Sequence, residues 1–215
     1  MWTCGWSGRT SARRGMFTGL IESTGTVRAM APTAEGFRLG VDTDLVGRLA
    51  LGDSIATNGV CLTVVAVGEA GFEAEISPET ARVTALGALA AGHRVNLERP
   101  MRADALVGGH FVQGHVDATG RVRTILPEAD YHRVRLEYPS SLAAYLVLRG
   151  SIAVDGVSLT IAALDTGTFD VQIIPFTWEH TTFGRYREGD TVNLECDILG
   201  KYVVRALEVA AQDGG

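Results

Sequence analysis

Cysteine, proline and long apolar runs are scarce in this sequence. Its three cysteines, Cys4, Cys61 and Cys196, stand far apart among 215 residues, a pattern typical of neither a disulfide framework nor a zinc site. No apolar stretch approaches the roughly 18 residues of a membrane-spanning helix. Lysine and arginine number 19 against 25 acidic residues, and no basic stripe indicates nucleic-acid binding. We therefore expect a protein of the reducing cytoplasm with neither a membrane nor a nucleic acid as partner.

The first fifteen residues lack acidic side chains and contain three arginines. They also lack the apolar core of a secretory signal, and they are short for a transit peptide. We expect residues 1–15 to be a disordered extension ahead of a natural start at Met16.

The chain contains an internal duplication. Residues 54–67 read SIATNGVCLTVVAV, and residues 151–164 read SIAVDGVSLTIAAL, 97 positions later. The offset continues from ISPETARVTALG at 76–87 to IIPFTWEHTTFG at 173–184, and from VNLE at 95–98 to VNLE at 192–195. Upstream, Arg38 and Leu39 align with Arg135 and Leu136 at the same offset, whereas TGTV at 24–27 aligns with TGRV at 119–122 at an offset of 95. Two copies are too few for a solenoid, so each copy is expected to build its own core.

Short β-rich segments bounded by turns recur six times in each copy. In the first copy they are Thr26–Ala29, Phe37–Val41, Ser54–Ala56, Leu62–Val67, Gly71–Ile76 and Arg94–Leu97. Six such strands predict an all-β fold with one antiparallel barrel in each copy, the first over residues 16–106 and the second over 107–197.

Helices are predicted at three places. Asp44–Ala50 and Ser140–Leu148 are expected to be short helices between the second and third strands, capped by Asp44 and by Ser140 or Ser141. After Cys196, helical spacing of Leu199, Val203, Leu207 and Ala210 or Ala211 predicts a C-terminal helix and tail over 198–215. Its apolar face either meets another subunit or lies across one barrel.

Two kinds of position carry side chains suited to chemistry. GGHFVQGH at 108–115 places His110 and His115 five residues apart, an odd spacing that disfavours a metal pair on one strand face. NGVCLT at 58–63 and DGVSLT at 155–160 place a thiol, Cys61, and a hydroxyl, Ser158, at equivalent positions. Either histidine is alternatively a satisfied turn residue, and Cys61 a buried small residue. No histidine adjoins Ser158 in sequence, so a hydrolase triad is unsupported.

From Met16 onward, the sequence resembles the riboflavin synthase family. The resemblance is carried by MFTGLIE at 16–22, NGVCLTV at 58–64, GHFVQGHVD at 109–117, DGVSLT at 155–160 and IPFTWEHTTFG at 174–184. It implies two tandem six-stranded Greek-key barrels of the flavin-reductase-domain type, each binding one 6,7-dimethyl-8-ribityllumazine. It also implies a transferase that moves a four-carbon unit between two such molecules, giving riboflavin and 5-amino-6-ribitylamino-2,4-pyrimidinedione.

The resemblance further implies a homotrimer with its active sites between subunits, a trimerisation role for the C-terminal helix, and no metal or organic cofactor. Association with lumazine synthase is a further partner that it suggests. A non-catalytic lumazine- or flavin-binding carrier is the alternative reading, although such carriers tend to lose one pocket and both motifs are kept here.

The family's site residues carry over by matching motif. Positions tied to catalysis are Phe17, Ser54, Cys61, His115, Asp155 and Ser158, with His115, Asp155 and Ser158 expected to handle protons and Phe17 to cover the ring system. Expected ligand contacts in the first barrel are Gly19, Leu20, Ile21, Cys61, Leu62, Thr63, Glu75, Ile76, Ser77, Pro78, Glu79 and Thr80. Expected ligand contacts in the second barrel are Gly114, His115, Val116, Ser158, Leu159, Thr160, Gln172, Ile173, Ile174, Pro175, Phe176 and Thr177.

Two positions depart from the family pattern. Arg149 stands where a lysine is frequent, which keeps the charge but not the capacity to transfer a proton. Phe176 replaces a more polar residue, so ribityl contacts there are in doubt. Arg149 is retained as a binding residue on its charge and reach.

Overall fold

Two closed antiparallel barrels followed by a helix make up the computed structural model, which describes residues 15–213. The first barrel consists of β1 (Ser23–Thr33), β2 (Gly36–Asp42), β3 (Ser54–Thr57), β4 (Val60–Val67), β5 (Gly71–Ile76) and β6 (Arg94–Glu98). The second consists of β7 (Ala118–Glu128), β8 (Tyr131–Glu137), β9 (Ser151–Val154), β10 (Val157–Asp165), β11 (Thr168–Ile173) and β12 (Thr191–Cys196). In both, the strands close in the order first, second, fifth, fourth, third, sixth. The predicted pair of six-stranded Greek-key barrels is confirmed.

Each barrel has a hydrophobic core of its own. Phe72 and Ile55 fill the first, and their repeat equivalents Phe169 and Ile152 fill the second, all with at most 1% of their surface exposed. Burying one such side chain contributes about 1.5–3 kcal/mol. Apolar residues that alternate with more exposed ones along the strands therefore give each barrel a core of its own.

The upstream alignment of the two copies is corrected by the strand register. Leu39 pairs with Met30 and Ala74, whereas Val134 pairs with Ile125 and Val171, so Leu39 corresponds to Val134. Arg38 and Leu39 therefore match Arg133 and Val134 rather than Arg135 and Leu136. A shift of two residues keeps every strand side chain on the same face, so the hydrophobic pattern could not reveal it. The two extra residues of the second copy lie between β8 and β9.

The short helices predicted at Asp44–Ala50 and Ser140–Leu148 are wrong. Each segment contains only a three-residue 3₁₀ turn, Val46–Arg48 or Ser140–Leu142, without a side-chain cap. Forming the first turn of a helix fixes several backbone dihedral angles in return for a single hydrogen bond. A single turn therefore does not grow into a longer helix unless packing stabilises it. The α-helical turn of each copy instead follows the fifth strand, at α1 (Pro78–Val83) and α2 (Pro175–His180). Ser77 caps α1, because its side chain accepts a hydrogen bond from the Thr80 amide at 3.0 Å.

The C-terminal helix is present as α3 (Ile198–Asp213). Its first turn is tied to the second barrel, because Lys201 Nζ lies 2.7 Å from Asp117 Oδ2. Leu199 in that turn and Val203 and Leu207 beyond it are exposed, so the apolar face does not lie across a barrel of this chain. Within residues 15–213, no helix is long and apolar enough to cross a membrane.

Candidate functional site

Two equivalent segments cross between the barrels and define two half-sites. Phe17 and Val112 form an antiparallel bridge, with Phe17 N donating to Val112 O at 2.8 Å and Val112 N to Phe17 O at 3.0 Å. Beyond this bridge, Gly19 O accepts from Ser158 N of the second barrel at 2.8 Å. In return, Gly114 O accepts from Cys61 N of the first barrel at 2.9 Å. Each copy thus lays its segment against the other copy's barrel.

This exchange changes the expected grouping of ligand contacts. The motif match predicts Gly19, Leu20 and Ile21 as ligand contacts of the first barrel, but Ile21 packs against the core of the second. Gly114, His115 and Val116 were assigned to the second barrel, but Val116 packs against the core of the first. The repeat boundaries along the chain are therefore not the boundaries of the half-sites.

A buried glutamate at the end of each copy's last strand holds the crossing segment. Glu98 accepts from Thr18 N at 2.7 Å, Thr18 Oγ1 at 2.8 Å and Gly19 N at 3.0 Å. Glu195 accepts from Gln113 N at 2.7 Å and Gly114 N at 3.0 Å. Burial raises the pKa of Glu98 to about 7 against these donors, and it raises the pKa of Glu195 as well.

The close approach of each segment requires glycine. Gly114 has φ +76°, and a Cβ there would lie 2.5 Å from Cys61 Cβ. Gly19 has φ +75°, and a Cβ there would lie 2.6 Å from Ser158 Cβ. Since only glycine combines a left-handed backbone with no Cβ, both positions exclude other residues.

The strand register brings the remaining expected contacts to the same barrel ends. β4 and β5 are antiparallel with Val64 opposite Ala74, so the start of β4, with Cys61, and the end of β5, with Ser77, lie at one end of the first barrel. In the second barrel, β10 and β11 are antiparallel with Ile161 opposite Val171. Ser158, at the start of β10, and Ile174, after the end of β11, therefore lie at one end of that barrel. The segments 75–80 and 172–177 therefore lie at the same barrel ends as Cys61 and Ser158, and their contact with a ligand stays a prediction.

The first half-site, which we call the Cys61 half-site, is a cavity of about 680 Å³. Its walls are formed by Gly15, Met16, Ser54, Cys61, Thr63, Gln113 and His115. His115 is exposed there, and the cavity is large enough for a small heterocyclic ligand. Ser54 and Cys61 are brought together with His115, whereas the proton-handling group expected from His115, Asp155 and Ser158 is not assembled within this chain.

The second, or Ser158 half-site, has a histidine that sequence reasoning left unassigned. His110 Nδ1 lies 2.7 Å from Ser158 Oγ. Burial lowers the pKa of His110, an effect that the charge of Asp197 opposes. The residue is 8% exposed, and this burial favours the neutral form of its ring. The 48-residue separation of these partners gave no local signal in the sequence.

Phe17, which the motif match assigns to covering the ring system, lies inside the protein at the crossing of the two segments. It is fully buried between the barrels, in a small cluster with Ala56, Val112 and Ala153. Its side chain packs at the point where the two crossing segments meet.

Asp155 lies in the junction between the barrels. Its carboxylate accepts from Tyr186 Oη at 2.5 Å and from Asn193 N at 2.7 Å. Burial raises the pKa of Asp155 to about 7, against the lowering effect of these two donors. The neighbouring cavity, of about 470 Å³, is lined in part by Asp155, Tyr186 and Arg185.

Paired asparagines complete this junction. Asn96 Nδ2 donates to Asp155 O at 3.0 Å, and Asn193 Nδ2 donates to Asn58 O at 2.8 Å. The repeated VNLE motif carries these asparagines together with Glu98 and Glu195, which is the signal that could have identified all four.

Several expected contacts differ in accessibility. Leu62 is buried and Leu159 packs on the second core, whereas Thr160 and Phe176 are exposed. Arg149 is exposed and has φ +67°, a strained value for a residue with a side chain. Over residues 15–213, no group of three or more histidine, cysteine, aspartate or glutamate side chains could hold a metal ion.

A family model, the lumazine binding domain, matches this chain twice, over residues 18–100 and 113–197. Riboflavin synthase of Bacillus subtilis (strain 168) is 43% identical over 199 residues, covering 92% of this chain and 93% of the relative. Riboflavin synthase of Mycobacterium tuberculosis (strain ATCC 25618 / H37Rv) is 46% identical over 200 residues, covering 91% of this chain and 100% of the relative.

A structural likeness is found in LumP complexed with riboflavin. It has a TM-score of 0.79 and 23% sequence identity, and the match covers 84% of this chain and 98% of LumP. LumP complexed with 6,7-dimethyl-8-(1'-D-ribityl) lumazine has a TM-score of 0.76 at the same identity. At this identity the likeness concerns the fold alone.

Proposed function

This chain belongs to the riboflavin synthase family of two-fold lumazine-binding-domain proteins, and on that premise we propose that it is itself a riboflavin synthase. The reaction joins two 6,7-dimethyl-8-ribityllumazine molecules: four carbons leave one and are added to the other. The products are riboflavin and 5-amino-6-ribitylamino-2,4-pyrimidinedione. Atoms balance between substrates and products, so the reaction calls for no external oxidant or reductant.

One observation carries the proposal: both half-sites are built, and each presents a different nucleophile-capable group beside a crossing segment. Cys61 borders a cavity of about 680 Å³ with His115, and Ser158 contacts His110. The family resemblance gives each half-site one lumazine. Catalysis then comes largely from holding two ligands in a reactive orientation, which can lower a barrier by about 7–11 kcal/mol.

We place the complete active site between subunits, where a Cys61 half-site of one chain meets a Ser158 half-site of another. The exposed apolar face of α3, with Leu199, Val203 and Leu207, supports association between subunits, because such a face on a helix usually meets a partner; the number of three comes from the family resemblance. Cytoplasmic location and association with lumazine synthase stay predictions from the family resemblance.

The test mixes the purified chain with 6,7-dimethyl-8-ribityllumazine alone and follows riboflavin by its absorbance. We expect one riboflavin for every two lumazines consumed, over many turnovers. Tight binding of lumazine without turnover would instead support a carrier role like that of a ligand-binding protein. Absence of both binding and turnover would refute the site assignment altogether.

A further inference from the structure

The contact between His110 and Ser158 joins two elements that are each fixed by backbone hydrogen bonds. His110 N donates to Thr18 O at 3.1 Å, and Ser158 N donates to Gly19 O at 2.8 Å. One crossing segment therefore anchors both partners, and the Nδ1–Oγ distance of 2.7 Å is that of a hydrogen bond.

The other ring nitrogen of His110, Nε2, differs from Nδ1 in its hydrogen bonding. Nε2 is buried, and it has no hydrogen-bond partner among residues 15–213. A neutral imidazole carries one donor and one acceptor, so Ser158 engages one of these functions and the second stays unused inside the protein. A histidine buried only for packing would ordinarily have both nitrogens satisfied, because an unpaired buried polar atom is costly.

The duplication supplies an internal comparison. The first-copy equivalent of Ser158 is Cys61, and the equivalent of His110 is Gly15, which has no side chain. A thiol has an ordinary pKa near 8.5 and is reactive without much help, whereas a serine hydroxyl needs a neighbouring group to orient and activate it. The first copy therefore has no side chain equivalent to that of His110, and the histidine that lines the Cys61 half-site, His115, belongs to the second copy.

We propose that His110 is a positioning residue for riboflavin formation, which acts through its Nδ1 by fixing the rotamer and the hydrogen of the Ser158 hydroxyl toward the bound lumazine. This role rests on the proposed function, since it assigns Ser158 to the reacting half of the site. His110 is not among the catalytic or ligand-contact positions carried over by the motif match.

The test compares three variants at His110. The asparagine of H110N places a polar atom near Nδ1, whereas the glutamine of H110Q places one near Nε2 and fills the space better. If His110 acts through Nδ1, H110A lowers kcat about 10- to 100-fold, as expected for a misplaced reacting group, with KM little changed. H110N then recovers more kcat than H110Q. A purely packing role gives the reverse order, with H110Q the better replacement.

Ser158 provides the second arm. Because His110 is taken to act only through Ser158, the double variant S158A/H110A should have the kcat of S158A within about two-fold. Independent, multiplicative losses would overturn the proposal, and so would wild-type kcat in H110A. Urea unfolding of each variant checks the fold, and H110N against H110Q keeps the test decisive if H110A unfolds.

A matched control is available at His93. Its Nδ1 accepts from the Ala90 amide at 3.3 Å in an exposed turn, so H93N makes the same chemical change away from both half-sites. We expect H93N to keep wild-type kcat. If the wild-type chain turns over and all three His110 variants have the same kcat as wild type, this inference alone is refuted. If the wild-type chain does not turn over, the proposed function is refuted and this role with it.

Discussion

Replacing Gly114 by alanine tests whether the crossing segment holds the Cys61 half-site in place. The new Cβ would lie 2.5 Å from Cys61 Cβ and 2.8 Å from Cys61 N, closer than van der Waals contact allows. Two costs add. The left-handed backbone, at φ +76°, costs about 1–2 kcal/mol for a residue with a Cβ. Overpacking in a closely packed region costs about 1–3 kcal/mol more.

Gly92 separates these two costs. It has φ +89°, and a Cβ there would meet nothing within 4 Å, so G92A carries the backbone cost without the collision. The entropy that alanine removes from the unfolded chain is common to both variants and cancels in the comparison. We therefore expect G114A to lower the free energy of unfolding by about 1–3 kcal/mol more than G92A does.

The assay is urea unfolding at one protein concentration, with riboflavin titration to count binding sites. G114A should lose binding in the Cys61 half-site and keep it in the Ser158 half-site, and G19A should do the opposite, because its Cβ would lie 2.6 Å from Ser158 Cβ. Equal unfolding free energies for G114A and G92A would refute the reasoning, since the segment would then not be pressed against Cys61.

Three further predictions concern the junction, the helix and a strained residue. D155N should keep the fold, since Asn58 occupies the equivalent position. D155N should also remove part of the pH dependence of the free energy of unfolding. The pKa of Asp155 is about 7 in the folded protein against 3.8 ordinarily, so its protonation stabilises the fold at low pH, and about 2–4 kcal/mol of this contribution is lost as the pH rises to 7. Urea midpoints at pH 5 and pH 8 measure this difference. L207E should convert the oligomer to smaller species in light scattering and abolish turnover while ligand binding persists, and an unchanged mass would contradict the role of α3. R149G should raise the free energy of unfolding by up to about 1 kcal/mol by relieving φ +67°, while KM rises with the loss of the charge; a KM equal to wild type would exclude Arg149 from binding.

The sequence predicted the elements whose signal is local. Strand positions followed from alternation of residues such as Phe72 and Ile55, and the duplication followed from letter-by-letter identity. The helix at Ile198–Asp213 followed from its apolar spacing, although its exposed face became evident only in three dimensions. The 3₁₀ turns at Val46–Arg48 and Ser140–Leu142 were mistaken for helices, because a candidate capping residue such as Asp44 does not tell how far a turn propagates.

The pairing of residues across the site had no local signal. His110 and Ser158 are 48 positions apart, and Gly114 meets Cys61 only because the segments exchange barrels. Motif matching located these residues but grouped them by their order along the chain. That grouping fails wherever a duplicated unit places one of its segments on its twin, which periodicity and spacing do not encode.

The exchange of segments also explains how a duplicated protein acquires two unequal half-sites. The segment of residues 110–115 contributes His110 to Ser158 and His115 to the Cys61 half-site, so both histidines come from the second copy. The first-copy segment contributes Gly15 and Leu20 at the equivalent positions. In a dismutation, two identical molecules must behave differently, one losing what the other gains. Two identical pockets would bind both alike, whereas in the proposed active site a buried histidine–hydroxyl pair facing an exposed histidine and a thiol would give each molecule a different environment from the moment it binds.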